Sequence, residues 1–93
     1  MRNMAVKWTK KALFSLQEIA AYIEADNPAR ARSFVQEIRA KTLQLEAFPG
    51  AGRPGRIPGT RELVVHKNYI VPYRVHGGDV EILRVHHVAR RYP

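Results

Sequence analysis

RELVVHKNYIVPYRVHGGDVEILRVH, residues 61–86, decides the fold. Arg61 to His66, Tyr69 to Val75 and Val80 to His86 are runs rich in β-branched and aromatic residues, divided by Lys67-Asn68 and by Gly77-Gly78, which are hairpin-type separators. A three-stranded antiparallel meander is expected. Alternate side chains of a strand point to opposite sides, so Leu63 and Val65 with Tyr69, Val71, Tyr73 and Val75 can line one face, leaving the other more polar. Pro72 cannot donate to a ladder, and a bulge or locally unpaired edge is expected there.

The cover for that apolar face lies upstream. Ala5-Val6-Lys7-Trp8 alternates like a short strand, and Thr9 is placed to cap a helix beginning at Lys10. Leu13, Leu16, Ala20 and Ile23 recur at helical spacing, widened by Ala12 and Ile19, while Lys11, Gln17 and Glu18 fall on the other side. Asp26-Asn27-Pro28 ends this helix and starts another, with Asn27 as cap and Pro28 in the first turn, where no amide hydrogen is required. Ala31, Phe34, Val35, Ile38, Thr42 and Leu45 form the apolar side of the second helix, expected to run to Phe48 before Pro49-Gly50 stops it. Residues 49–59 hold four glycines and three prolines; they read as a loop carrying Arg53 and Arg56. The expected architecture is α+β: a short N-terminal strand, a helical hairpin and the meander, in one domain spanning residues 1–93.

Composition narrows the function. Cysteine is absent, which removes disulfides and thiolate metal sites, so the fold must stand on packing. No apolar run is long enough to span a bilayer and the first residues lack the long apolar stretch of a secretory signal, so a cytoplasmic protein without membrane attachment is expected. Sixteen Lys and Arg against eight Asp and Glu give +8, and residues 49–93 carry +5 of it from eight bases and three acids. Such a field draws nucleic acid, an acidic protein segment or an anionic surface without choosing among them.

For chemistry, metal sites and phosphate loops come first. His86 and His87 are adjacent, hence on opposite faces of a strand, and no H-x-x-x-H, paired-acid cluster or nucleotide-binding glycine loop is present. Neither metal nor cofactor is expected. The remaining candidates are Arg61, His66, Tyr69, Arg74, Arg84, His86, His87, Arg90, Arg91 and Tyr92. Guanidinium groups clamp phosphate or carboxylate, imidazole moves protons near neutrality, and tyrosine stacks or donates. With His87 as acid or base and Arg61, Arg84 or Arg90 as clamps, such a set could cut RNA without metal. Equally, Arg74 and Arg84 can pair with Glu62 or Glu81 across the sheet, and His66 and His86 can be ordinary strand residues.

Trp8-Thr9 before an amphipathic helix, Tyr22-Ile23 before Asn27-Pro28, Phe48-Pro49 with Gly52-Arg53, Gly59-Thr60-Arg61-Glu62-Leu63, residues 69–75, and Ile82-Leu83-Arg84-Val85-His86-His87 with Ala89-Arg90 resemble the ParE branch of the RelE/ParE toxin superfamily. The likeness spans nearly the whole chain. It implies a bacterial toxin of a type II toxin–antitoxin pair, neutralised by an acidic amphipathic antitoxin. ParE-like members are associated with inhibition of DNA gyrase, RelE-like members with mRNA cleavage in the ribosome. The RelE-like pattern has an arginine early in the central strand, where this chain reads Ile70, so gyrase poisoning ranks above cleavage. His87 and Arg90 match the family's ending, and Tyr92 beside Arg91 suits a nuclease. For a gyrase-directed toxin the implied target-binding set is Arg61, Arg74, Arg84, His87, Arg90 and Arg91; for a nuclease the catalytic set is Arg61, Arg84, His87, Arg90 and Tyr92. A third reading is a basic nucleic-acid- or protein-binding domain without toxicity, marked by salt-dependent binding and no growth arrest.

Overall fold

A computed structural model describes residues 4–88. β1 (Ala5–Trp8) leads into α1 (Lys10–Glu24) and α2 (Pro28–Leu43), followed by a single 3-10 turn (Gln44–Glu46). β2 (Arg53–Pro54), β3 (Arg61–His66), β4 (Tyr69–His76), β5 (Asp79–Ile82) and β6 (His86–His87) complete the order. The sheet runs β1-β5-β4-β3-β2, with β6 also on β4, and among the described strands only the β1–β5 pair is parallel.

Both helix starts follow their caps. Thr9 Oγ1 accepts from the Ala12 N–H at 3.1 Å, and Asn27 Oδ1 accepts from the Arg30 N–H at 3.0 Å, each satisfying an orphan donor of the first turn. Leu16, Ile19, Phe34 and Ile38 then pack with Leu63, Val65, Val71, Tyr73, Val80 and Ile82 in one core. No helix among the described residues is long and apolar enough to cross a membrane.

Four expectations change in detail. The second helix stops at Leu43, because the chain tightens into the 3-10 turn that buries Leu45 and offers the Glu46 carbonyl to the Met4 N–H at 3.0 Å. Within residues 49–59, Arg53 and Pro54 pair with Glu62 and Arg61 as a short edge strand, a place where proline is tolerated. Val75 is 46% exposed, since β3 ends opposite Tyr73 and offers Val75 no neighbour on that side. The third run is two strands, β5 and β6, separated by residues 83–85. That break lies opposite Pro72, as its missing donor leads one to expect.

Candidate functional site

Strand alternation sorts the polar side chains onto two faces. Leu63, Val71 and Tyr73 are buried under the helices, so their chain neighbours Glu62, Ile70 and Pro72 belong to the outer face. Opposite Pro72, the Leu83 N–H still donates to the Pro72 carbonyl at 2.9 Å, but the Val85 N–H donates to Ser15 Oγ at 2.8 Å. The break is thus stitched to α1. Thr9 adds two bonds to the Ile82 carbonyl, from its N–H at 3.1 Å and its hydroxyl at 2.8 Å. Together these tethers bring Lys11 to the rim of an outer-face groove.

The groove has a volume of about 550 Å³. Its apolar lining is Ile57, Ile70, Pro72 and Leu83; its charged lining is Lys11, Arg56 and Arg84 with one carboxylate, Glu62. Glu62 is already engaged, accepting from Arg53 Nε at 3.2 Å. The surplus is positive. His86 also lines the groove, and burial, followed by the fields of Arg84 and Arg56, holds its imidazole below the ordinary value; Glu62 opposes this and His87 adds to it.

A clamped loop forms one wall. The buried Tyr73 hydroxyl accepts from the Gly52 N–H at 2.9 Å and donates to the Pro49 carbonyl at 2.7 Å, while Arg61 Nη1 donates to the Gly52 carbonyl at 2.7 Å. Gly52 is required by space: a Cβ there would stand 2.7 Å from Tyr73 Cε1 and 2.8 Å from the Glu62 carbonyl oxygen. Further along, the Gly55 N–H donates to the Thr60 carbonyl at 2.8 Å, and Thr60 returns two bonds to Ile57 O, from N–H at 3.0 Å and hydroxyl at 2.6 Å. This staple leaves Ile57 68% exposed at the lip of the groove.

A ring cluster occupies the helix side. Tyr69 meets Phe34 edge-on at 4.9 Å, His87 at 4.7 Å and His66 at 6.0 Å between centroids. The register shift between Val64 and His66 is what brings His66 opposite Tyr69. Nearby on α2, Arg30 Nη1 donates to Glu37 Oε2 at 2.6 Å, which lowers the Glu37 carboxyl below its usual range and raises Arg30.

The sequence-predicted residues therefore do not form one constellation. Arg61 sits on the helix side, tied to Gly52, and His87 is on that side against Tyr69, whereas His86 faces the groove. Arg74 lies on the outer face and donates from Nε to Glu81 at 2.6 Å; Arg84 lies on the groove. Arg90, Arg91 and Tyr92 fall outside the described residues. Among the described residues no group of three or more His, Asp or Glu is gathered for a metal. Lys11, Arg56 and Ile57 were not singled out by the sequence; the signal available was the pairing of a proline in β4 with a loop bearing two arginines.

Comparison with known proteins accords with this architecture. Residues 6–92 match the family described as ParE toxin of type II toxin–antitoxin system, parDE. The chain is 46% identical to Y4kP of Sinorhizobium fredii over 100% of its own length and 97% of that protein. It is 35% identical to Toxin RelE2 of Caulobacter vibrioides, covering 91% of this chain and 96% of the relative. A chain from the chromosomal ParDE system of P. aeruginosa superposes with a TM-score of 0.84 at 36% identity, over 91% of this chain and 96% of that one. The RelBE2 complex of Mycobacterium tuberculosis shares the fold, with a TM-score of 0.62 at 24% identity over 91% and 98% of the two chains. This chain belongs to the ParE toxin family of type II toxin–antitoxin systems.

Proposed function

We propose that this toxin arrests growth without catalysis, by poisoning DNA gyrase, and that an acidic amphipathic antitoxin holds it inactive until degraded. One observation carries the choice of mechanism: among the described residues, the proton-transfer candidate His87 and the phosphate-clamp candidate Arg84 lie on opposite faces of the sheet. Acid–base cleavage needs both around one phosphate. Arg61, a further clamp candidate, is committed to the Gly52 carbonyl. A non-enzymatic poison needs only a complementary surface, and +8 supplies the field to reach a nucleic-acid-bound enzyme.

The antitoxin reading draws on the ParDE system from P. aeruginosa, at 36% identity, and on the charge of this chain. Phe14 and Tyr22 are exposed on α1, so a partner crossing the helical hairpin and the sheet edge has apolar surface to cover while its carboxylates meet arginines.

The second reading, ribosome-dependent mRNA cleavage by Arg61, Arg84, His87, Arg90 and Tyr92, is favoured by the 35% identity to Toxin RelE2. A supercoiling assay run beside a ribosome-dependent cleavage assay separates the two. Trapped, cleaved plasmid in the presence of purified toxin and gyrase is the expected result; codon-positioned mRNA cuts with gyrase untouched would transfer the assignment to the ribosome. Failure to arrest growth on expression would leave only a basic binding domain. Arg61→Ala, by releasing the loop at Gly52, and Arg90→Ala, by removing a target contact, are expected to abolish growth inhibition while antitoxin still binds.

A further inference from the structure

We propose that Lys41 guards the open edge of β3, and that without its charge two copies of this chain join there as antiparallel strands. This contact involves neither the target nor the antitoxin proposed above.

Backbone register shows what the edge offers. The Pro72 carbonyl is turned toward Leu83, so Val71 and Tyr73 on either side of it turn their polar backbone groups to β3, where they meet Leu63 and Arg61. Glu62 and Val64 alternate with these and point away from β4. β2 covers Glu62 through Arg53 and reaches no further, so among the described strands none pairs with Val64 or Val65 on that side. Leu63-Val64-Val65 is an apolar run with two β-branched residues, and Val64 is 53% exposed. A stretch of this kind at an open edge is a template for another strand.

Lys41 crosses it. From the last turn of α2 its Nζ donates to the Val65 carbonyl at 2.7 Å. An incoming strand would place its own amide nitrogen about 2.9 Å from that oxygen, so the ammonium already occupies the donor's position. Pairing two copies about a twofold axis brings both ammonium groups to one seam, where each must leave its carbonyl and lose water beside a like charge. Other edge positions are blunted differently. Pro54 has no N–H to offer a strand beyond β2, and β1 carries Lys7, 3.2 Å from Asp79.

A lysine in the last turn of a helix is favoured by the macrodipole wherever its head lies. This one spends its hydrogen bond on the sheet edge, and oligomeric state separates a guard from a lysine that only stabilises the fold.

Sedimentation velocity on the purified toxin supplies the test. Wild type and Lys41→Arg are expected to stay monomeric, whereas Lys41→Met, which keeps an aliphatic stem and drops the charge, should self-associate at least about tenfold more tightly. Lys10→Met removes the same charge from an exposed position on α1 and should leave the chain monomeric. Hydrogen exchange at the Val64 amide should slow as the concentration of Lys41→Met rises, and adding Val64→Lys to that variant should restore the monomer. Circular dichroism checks that each variant is folded. Where Lys41→Met fails that check, Lys41→Gln, which still offers a donor to Val65, must show the same association.

A folded Lys41→Met that has a lower Tm and remains monomeric would overturn the proposal. Equal association of Lys10→Met would reduce the effect to net charge, and association without protection at Val64 would put the contact on another surface; either result overturns it as well. A wild-type chain that already pairs through Val64 would show that Lys41 guards nothing.

Discussion

Removing one oxygen tests how the groove wall is held. Tyr73→Phe preserves the packing of a ring with no solvent exposure but deletes the hydroxyl that serves both the Gly52 N–H and the Pro49 carbonyl. The Gly52 N–H is then buried without an acceptor, at a cost of about 1–3 kcal/mol, and loss of the Pro49 bond adds about 0.5–1.5 kcal/mol. A total of about 1.5–4.5 kcal/mol corresponds to a fall in Tm on the order of 10–30 °C for a domain of this size. Urea denaturation gives the free energy, and hydrogen exchange at Gly52 and through residues 53–60 locates it. Arg61→Ala removes the third bond to the same loop, so the pair should couple by at least about 0.5 kcal/mol in a double-mutant cycle. A loss under about 0.5 kcal/mol for Tyr73→Phe, with exchange at Gly52 unchanged, would refute the clamp.

The two helix caps and the half-buried imidazole of His86 give three further outcomes. Thr9→Ala loses the cap on Ala12 and the hydroxyl bond to Ile82 and should cost about 1–2 kcal/mol by urea denaturation, whereas Thr9→Ser should keep most of it. The exposed cap Asn27→Ala, with one bond to Arg30, should cost less, about 0.5–1 kcal/mol. His86, whose imidazole is held below its ordinary 6.5, binds fewer protons folded than unfolded, so its contribution is fully present above pH 6.5 and is lost as pH falls through the lowered folded value. Tm should therefore drop on acidification from pH 7 toward 5, His86→Gln should flatten that slope, and Glu37 should act only at lower pH, through its own depressed carboxyl.

Local chemistry made much of this fold readable. Thr9 and Asn27-Pro28 mark the helix starts to the residue, because a cap acts over three positions, and Pro72 marks the break because a missing donor has an effect wherever its partner lies. Arg74 finds Glu81, as cross-strand complementarity suggests. What the sequence hid depends on distant segments meeting. The parallel pairing of Ala5–Trp8 with Asp79–Ile82 joins residues with no local signal for each other, and the shortening of α2 answers a bond from Met4. The groove combines α1, the loop after the 3-10 turn, β4 and the break after β5, so no window of sequence contains it. Arg61 was legible as a functional cation, yet its place beside Gly52 depends on a tyrosine twelve positions further on.

The parallel partnership of β1 and β5 sets an order of events at birth. A nascent chain that has not reached Asp79 has no partner for β1, and until Ile82 and Val85 exist the start of α1 lacks its Thr9 and Ser15 tethers. The helical hairpin, translated earlier, must wait with its apolar side uncovered for strands made later. A cell producing this toxin therefore meets it first as an unfinished polypeptide, and its sheet closes over the hairpin only once translation has passed Asp79–Ile82.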